Sequence, residues 1–387
     1  MQATDYLTEA MPDWRGMDAQ EWDALLQEQT QPTPFMQYAY LSALHESGCA
    51  TAKTGWALQL LTLRDRGELV AACPIYFKNH SQGEYVFDWA WAQAYEQHGL
   101  DYYPKAVIAV PFTPVPGSRL LAKDEHWRVR LLATAIGLSR EIKVSSLHLL
   151  MGSPDDMHAA RQVDLMTRHT VQFHWHNPGC DDFEGFLATL RQDKRKKIRQ
   201  ERRKVMEAGI TFEDLTGEQI TEGDWDFFVH CYNQTYLEHG NPPYLNRDFF
   251  ARMARDMGHQ WVLMKASRAG RPVACSLIAV QDPGQPQAVA YGRYWGALER
   301  HDCLHFEACY YQPIEWCLRH GVRRFEGGAQ GEHKMARALL PMMTTSAHWI
   351  SHPGFARGIE DFLNREREGM SGYVSELEAR TPLRRQE

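Results

Sequence analysis

No stretch of this 387-residue chain approaches the roughly 18 consecutive apolar residues that a membrane-spanning helix needs, so no transmembrane segment is expected. The opening Met1-Gln-Ala-Thr-Asp lacks a basic segment followed by an apolar stretch. That argues against a secretory signal and predicts a cytoplasmic protein. None of the eight cysteines (Cys49, Cys73, Cys180, Cys231, Cys275, Cys303, Cys309, Cys317) belongs to a C-x-x-C pair, which favours reduced, packed thiols over a disulfide framework or a zinc site. The histidine pairs His174/His176 and His301/His305 have no obvious third ligand nearby, so no metal is assigned. A G-x-G-x-x-G dinucleotide loop, a phosphate-cradling P-loop and a G-x-S-x-G nucleophile elbow are all missing. Repeats of solenoid period and low-complexity segments are missing too.

What remains is globular. Apolar residues make up 44% and charged residues 24%, too rich for disorder. The length exceeds what one hydrophobic core usually supports, so two lobes are expected, over 1–165 and 166–387. The net charge of −7 speaks against DNA as a partner. Its distribution is uneven: residues 191–204 (RQDKRKKIRQERRK) hold nine basic and two acidic side chains, a local +7 that leaves −14 for the rest. One basic element on an acidic body points to a defined anionic ligand, with Arg195, Lys196, Arg199 and Arg203 as phosphate-binding candidates. The competing reading is a solvated face with acidic partners.

Hydrophobic periodicity predicts a hairpin over 57–77, strands at 105–110 and 146–151, and a helix over 127–140 between them. Further on it predicts a strand at 170–175 and one long helix over 183–208, ended by Gly209. Two helices, three strands (261–267, 272–280, 287–294), a crossover helix over 305–320, strands at 323–326 and 346–351, and a final helix complete the second half. Antiparallel meanders followed by a helical crossover make a mixed sheet, not a doubly wound Rossmann order. The fold class is therefore α/β (α+β), with two such units in tandem.

Chemistry concentrates in Phe325-Glu-Gly-Gly-Ala-Gln-Gly-Glu-His-Lys334. Glycines at a strand end let backbone N–H groups approach a ligand, and Gln330, Gly331, Glu332, His333 and Lys334 follow. Acyl transfer needs a proton acceptor for the attacking amine and a cation for the oxyanion. Glu332 or His333 suits the first task and Lys334 the second, and a flexible loop with exposed charges is the bland alternative. A second block, His80 to Trp91 with Lys105, offers Glu84, Asp88 and Lys105 as substrate-binding polar anchors. Its aromatics Tyr85, Phe87, Trp89 and Trp91 alternate as on the buried face of a strand.

The blocks HSQGEYVFDWAWAQAYEQHGLDYYPK (80–105), PFTPVPGSRLL (111–121), YGRYWG (291–296), LHFEACYYQPIEW (304–316) and FEGGAQGEHKMARALLPMMTTSAHWI (325–350) resemble those of the FemAB-like predicted N-acyltransferases, bacterial proteins of the GNAT superfamily labelled as peptidoglycan biosynthesis proteins. The resemblance covers nearly the whole chain. It implies two tandem GNAT-like lobes, a functional lysine at Lys334, and a basic helix opening the second lobe. Arg119, Arg293, Tyr294, His305 and Glu307, within these blocks, join the substrate-binding candidates. The implied activity is transfer of an acyl or aminoacyl group to an amine-bearing small molecule or peptide. Acyl-CoA as co-substrate is the favoured donor and an aminoacyl-tRNA the alternative, with no covalently bound cofactor; a non-catalytic module that merely holds an anionic ligand is the remaining reading. The chain departs from the pattern in three places. It shows no helical-hairpin arm, no R/Q-x-x-G-x-G/A pyrophosphate loop, and Ala338 where glycine is expected.

Overall fold

The computed structural model describes residues 6–329 and 331–384. The first half contains β1 (Tyr6–Met11), α1 (Ala19–Gln27), α2 (Tyr38–Glu46), β2 (Ala57–Asp65), β3 (Glu68–Lys78), α3 (Trp89–Gln97), β4 (Lys105–Ile108), β5 (Leu121–Ala122), α4 (Glu125–Glu141), β6 (Ser146–Leu149) and α5 (Pro154–Gln162). Next come β7 (Met166–His176), α6 (Phe183–Ala188), α7 (Gln192–Glu207), β8 (Ile210–Thr216), α8 (Glu222–Glu238), α9 (Arg247–Met257), β9 (Trp261–Arg268), β10 (Arg271–Gln281) and β11 (Val289–Ala297). A helix interrupted by a π-turn, α10 (Leu304–Phe306) and α11 (Gln312–Arg319), leads to β12 (Arg324–Ala329), β13 (Leu340–Ile350) and α12 (Pro353–Ala379).

These elements form two units: residues up to 170 with 343–372, and 171–342 with the residues from 373 on. In the first, the strand order is β1-β2-β3-β4-β6-β13, antiparallel except for the β4–β6 pair. In the second it is β8-β9-β10-β11-β12-β7, antiparallel except for β11–β12. The two topologies are the same, and in each a helix (α4, or α10 with α11) makes the crossover that parallel neighbours require. Each is, as expected, a mixed and mainly antiparallel sheet flanked by helices. The division differs from two contiguous segments. β13, after the second unit in sequence, completes the first sheet, and β7, which follows the first, completes the second.

Each unit has its own core. Leu61, Val70, Ile75, Ile108, Leu131, Leu147 and Leu149 close the first, and Trp175, Phe186, Ile198, Ile314, Phe325 and Leu339 the second. All eight cysteines are unbridged. Strands β1 and β8 answer to no strand in the periodicity, and two further stretches depart from it. The aromatic block becomes helix α3, so Trp91 and Tyr95 are buried at helical spacing, while Phe87 and Trp89 stay 48% and 49% exposed. The long helix over 183–208 breaks into α6 and α7 because Leu190 and Arg191 pair with the C-terminal segment instead: Leu190 bridges Leu383, and the Arg191 N–H donates to Pro382 O at 2.9 Å. Tertiary pairing overrides local helix propensity there.

Candidate active site

The lysine candidate sits where β12 runs into a 3-10 turn, Glu332–Arg337. Gly327 is required at the strand end, since a Cβ there would lie 2.3 Å from Leu339 Cδ2 and 3.2 Å from Phe173 O. Gly331 enters the turn at φ 101° and Ala338 leaves it at φ 61°, the left-handed region that glycine occupies more comfortably. Side chains three apart in such a turn share a face. Lys334 and Arg337 accordingly point inward, 4% and 2% exposed, whereas Glu332 and His333 lie on the exposed side.

Lys334 Nζ donates to Gly328 O at 3.0 Å. Burial lowers its pKa to about 8, with Cys309 opposing the shift. His333 Nε2 meets the Tyr310 hydroxyl at 3.1 Å; partial burial and the charges of Lys334 and Arg337 lower its pKa, favouring the neutral imidazole. His305 lies near His333 with ring centroids 6.4 Å apart and the rings tilted by 57°, and burial drives its pKa down to about 4. Glu332 is engaged elsewhere: it accepts from Tyr373 Oη at 2.9 Å and Arg380 at 3.1 Å.

The turn is anchored from below by residues that the sequence did not single out. Arg337 donates to the His333 carbonyl at 2.8 Å and to Glu201 Oε2 at 2.8 Å, its guanidinium 3.5 Å from the Phe306 ring centroid. Tyr311 also donates to Glu201. The acid on the basic helix thus fixes the glycine turn. Beside it, His174 on β7 faces Glu326 on β12 in register, Nε2 to Oε2 3.8 Å, both buried; burial and Arg324 hold His174 down at about 3. Only the sequence adjacency of Glu326 to the glycines hinted at this pair.

The remaining candidates scatter. Gln330 lies outside the described residues. Arg293 and Tyr294 on β11 pair with each other at 3.3 Å, the tyrosine packed among Phe228, Tyr232 and Phe250. Glu307 sits in the π-turn, bound to Arg202 (3.1 Å) and Gln312 (2.7 Å), its pKa raised by burial. Arg119, 1% exposed, donates to the carbonyls of Leu150 and Val115 inside the first unit.

Glu84, Asp88 and Lys105 do come together, also in the first unit. Lys105 Nζ donates to Ser81 Oγ (2.7 Å), Glu84 (2.8 Å) and Asp88, and Tyr102 donates to Asp88 (2.6 Å). The network continues through His148 to His348, Nδ1 to Nδ1 2.7 Å. Burial pushes Glu84 up to about 7 and the neighbouring Lys78 down to about 7. These groups are 0–6% exposed and face one another, the arrangement of a structural ion network more than of an open subsite.

The basic run is largely neutralised. Acids meet Arg191, Lys194, Lys197, Arg199, Arg202 and Lys204 within 4.0 Å, while Arg195, Lys196 and Arg203 have no acidic partner among the described residues.

Residues 13–385 match the FemAB-like family, described as peptidoglycan biosynthesis/recognition. The chain belongs to the FemAB-like family. Among solved structures, FemX superposes with a TM-score of 0.56 at 10% identity, over 91% of this FemAB-like chain and 100% of that one. L-PGS from Bacillus licheniformis gives a TM-score of 0.54 at 11% identity over 90% and 96%. At such identities the likeness is one of fold. No curated protein matches. Membership of the FemAB-like family supports an acyl- or aminoacyltransferase role in peptidoglycan biosynthesis. No helix among the described residues is long and apolar enough to cross a membrane.

Proposed function

We propose that this FemAB-like protein is an N-acyltransferase that moves an acyl group from acyl-CoA to an amine, with Lys334 at the reacting carbonyl. The observation that carries the reading is a lysine buried at a glycine-walled strand end, cationic at neutral pH with its pKa down at about 8. A desolvated ammonium stabilises a developing oxyanion far better than one in water. The amine nitrogen attacks the thioester carbonyl, the oxyanion forms against Lys334, and collapse expels the thiolate. His333 takes the proton of the attacking amine, because its lowered pKa leaves it neutral and Glu332 is held by Tyr373 and Arg380. The acceptor is an amine on a small molecule or peptide, and the family description favours a peptidoglycan precursor.

An aminoacyl-tRNA donor is the second reading, favoured by the unmatched cations Arg195, Lys196 and Arg203. A thermal-shift screen with coenzyme A, acetyl-CoA, UDP-sugar precursors and bulk tRNA separates the two. Stabilisation by acetyl-CoA is expected. Stabilisation by tRNA with no response to any CoA species would replace the donor assignment.

A further inference from the structure

The second unit carries an open cavity of about 790 Å3 lined by Arg191, Gln192, Arg195, Thr381, Leu383 and Arg384. Backbone pairing builds it. Leu190 bridges Leu383, Arg191 N–H donates to Pro382 O and Arg384 N–H to Thr189 O, both at 2.9 Å. This clip sets Arg384 beside the start of α7, so three guanidinium groups from opposite ends of the lobe line one hollow. Arg191 is matched by Asp193 at 3.2 Å. Among the described residues, neither Arg195 nor Arg384 has an acidic partner and no carboxylate lines the wall. Ala379 and Leu383 add an apolar side.

We propose that this cavity binds a small phosphate-bearing ligand, with Arg195 and Arg384 as the clamp on the phosphate. Guanidinium forks match phosphate oxygens two at a time, and two unmatched forks converging on one hollow leave a charge that a dianion would balance. The apolar side suits the carbon part of such a ligand. A long RNA would instead need an unbroken cationic track. Along α7 that track is interrupted, because Glu184 matches Arg199, Glu307 and Glu315 match Arg202, and Asp302 lies by Lys204. The site is independent of the transfer chemistry at Lys334, and binding alone reads it.

Calorimetric titration of the full chain with inorganic pyrophosphate, and in parallel with bulk tRNA, tests the proposal. Pyrophosphate is expected to bind the wild type, and R195Q/R384Q to weaken it by about tenfold or more, with the ligand-free melting temperature unchanged. Absence of pyrophosphate binding at millimolar concentration overturns the proposal, as does equal binding by R195Q/R384Q. Equally, tRNA binding that R195Q/R384Q abolishes while pyrophosphate stays silent would make this an RNA surface and overturn the small-ligand site.

Discussion

With its ammonium against the Gly328 carbonyl, Lys334 gives up its proton near pH 8, where a free lysine would hold it to about 10.5. Two consequences follow at the level of the residue. Turnover should fall as pH rises through about 8, and Lys334→Met should lower it about 100-fold or more at pH 7.5. Because burying that charge costs stability, the same variant should melt at or above the wild-type temperature, which separates a chemical loss from a folding loss. His148 obeys the same logic, burial disfavouring the cation. Burial holds it neutral down to about 3 from its usual 6.5. The unfolded chain then binds more protons than the folded one between those values, so stability is lost as pH falls through that window. One such imidazole contributes about 2 kcal/mol of loss by about pH 5. Urea titrations at pH 7 and pH 5 should show it, and His148→Gln should shrink the difference without abolishing it, since His174 and His305 are also held neutral by burial.

The elements explain why these side chains are placed as they are. Gly327 leaves no room for a Cβ against Leu339, so Gly327→Ala should destabilise the chain by about 1–3 kcal/mol through overpacking, read as a fall in the denaturation midpoint. Glu201 reaches from α7 to Arg337, and Glu201→Gln leaves a buried guanidinium without its counter-charge, a loss of about 3 kcal/mol. Turnover should fall with it as the Lys334 turn loosens. Much of this level was legible in the sequence. The hairpin of β2 and β3, the crossover helices and the inner strands of both sheets follow from periodicity, and the glycines announced the Lys334 turn; the end strands β1 and β8 carry no such signal. What periodicity could not show were long-range pairings. The break between α6 and α7 depends on Leu383 and Pro382, and Glu201 reads as one acid in a basic helix until Arg337 meets it. The aromatics before Trp91 alternated like a strand, yet helix α3 buries only Trp91 and Tyr95.

For the whole molecule, the place of β13 beside β6 means that residues 1–165 do not contain a complete sheet, whereas 166–387 hold all six strands of the second. Residues 1–165 would leave β6 without its neighbour β13, an unpaired edge beside the core. That fragment should show no cooperative thermal transition, and a sharp one would contradict the need for β13. The proposed transfer requires that an acyl thioester be consumed at Lys334 only when an amine accepts the acyl group. Thiol release from acetyl-CoA in the presence of a panel of amino-sugar and peptide amines measures it. Amine-dependent release is expected from the wild type, and about 100-fold less from Lys334→Met. Equal release by both proteins would contradict it.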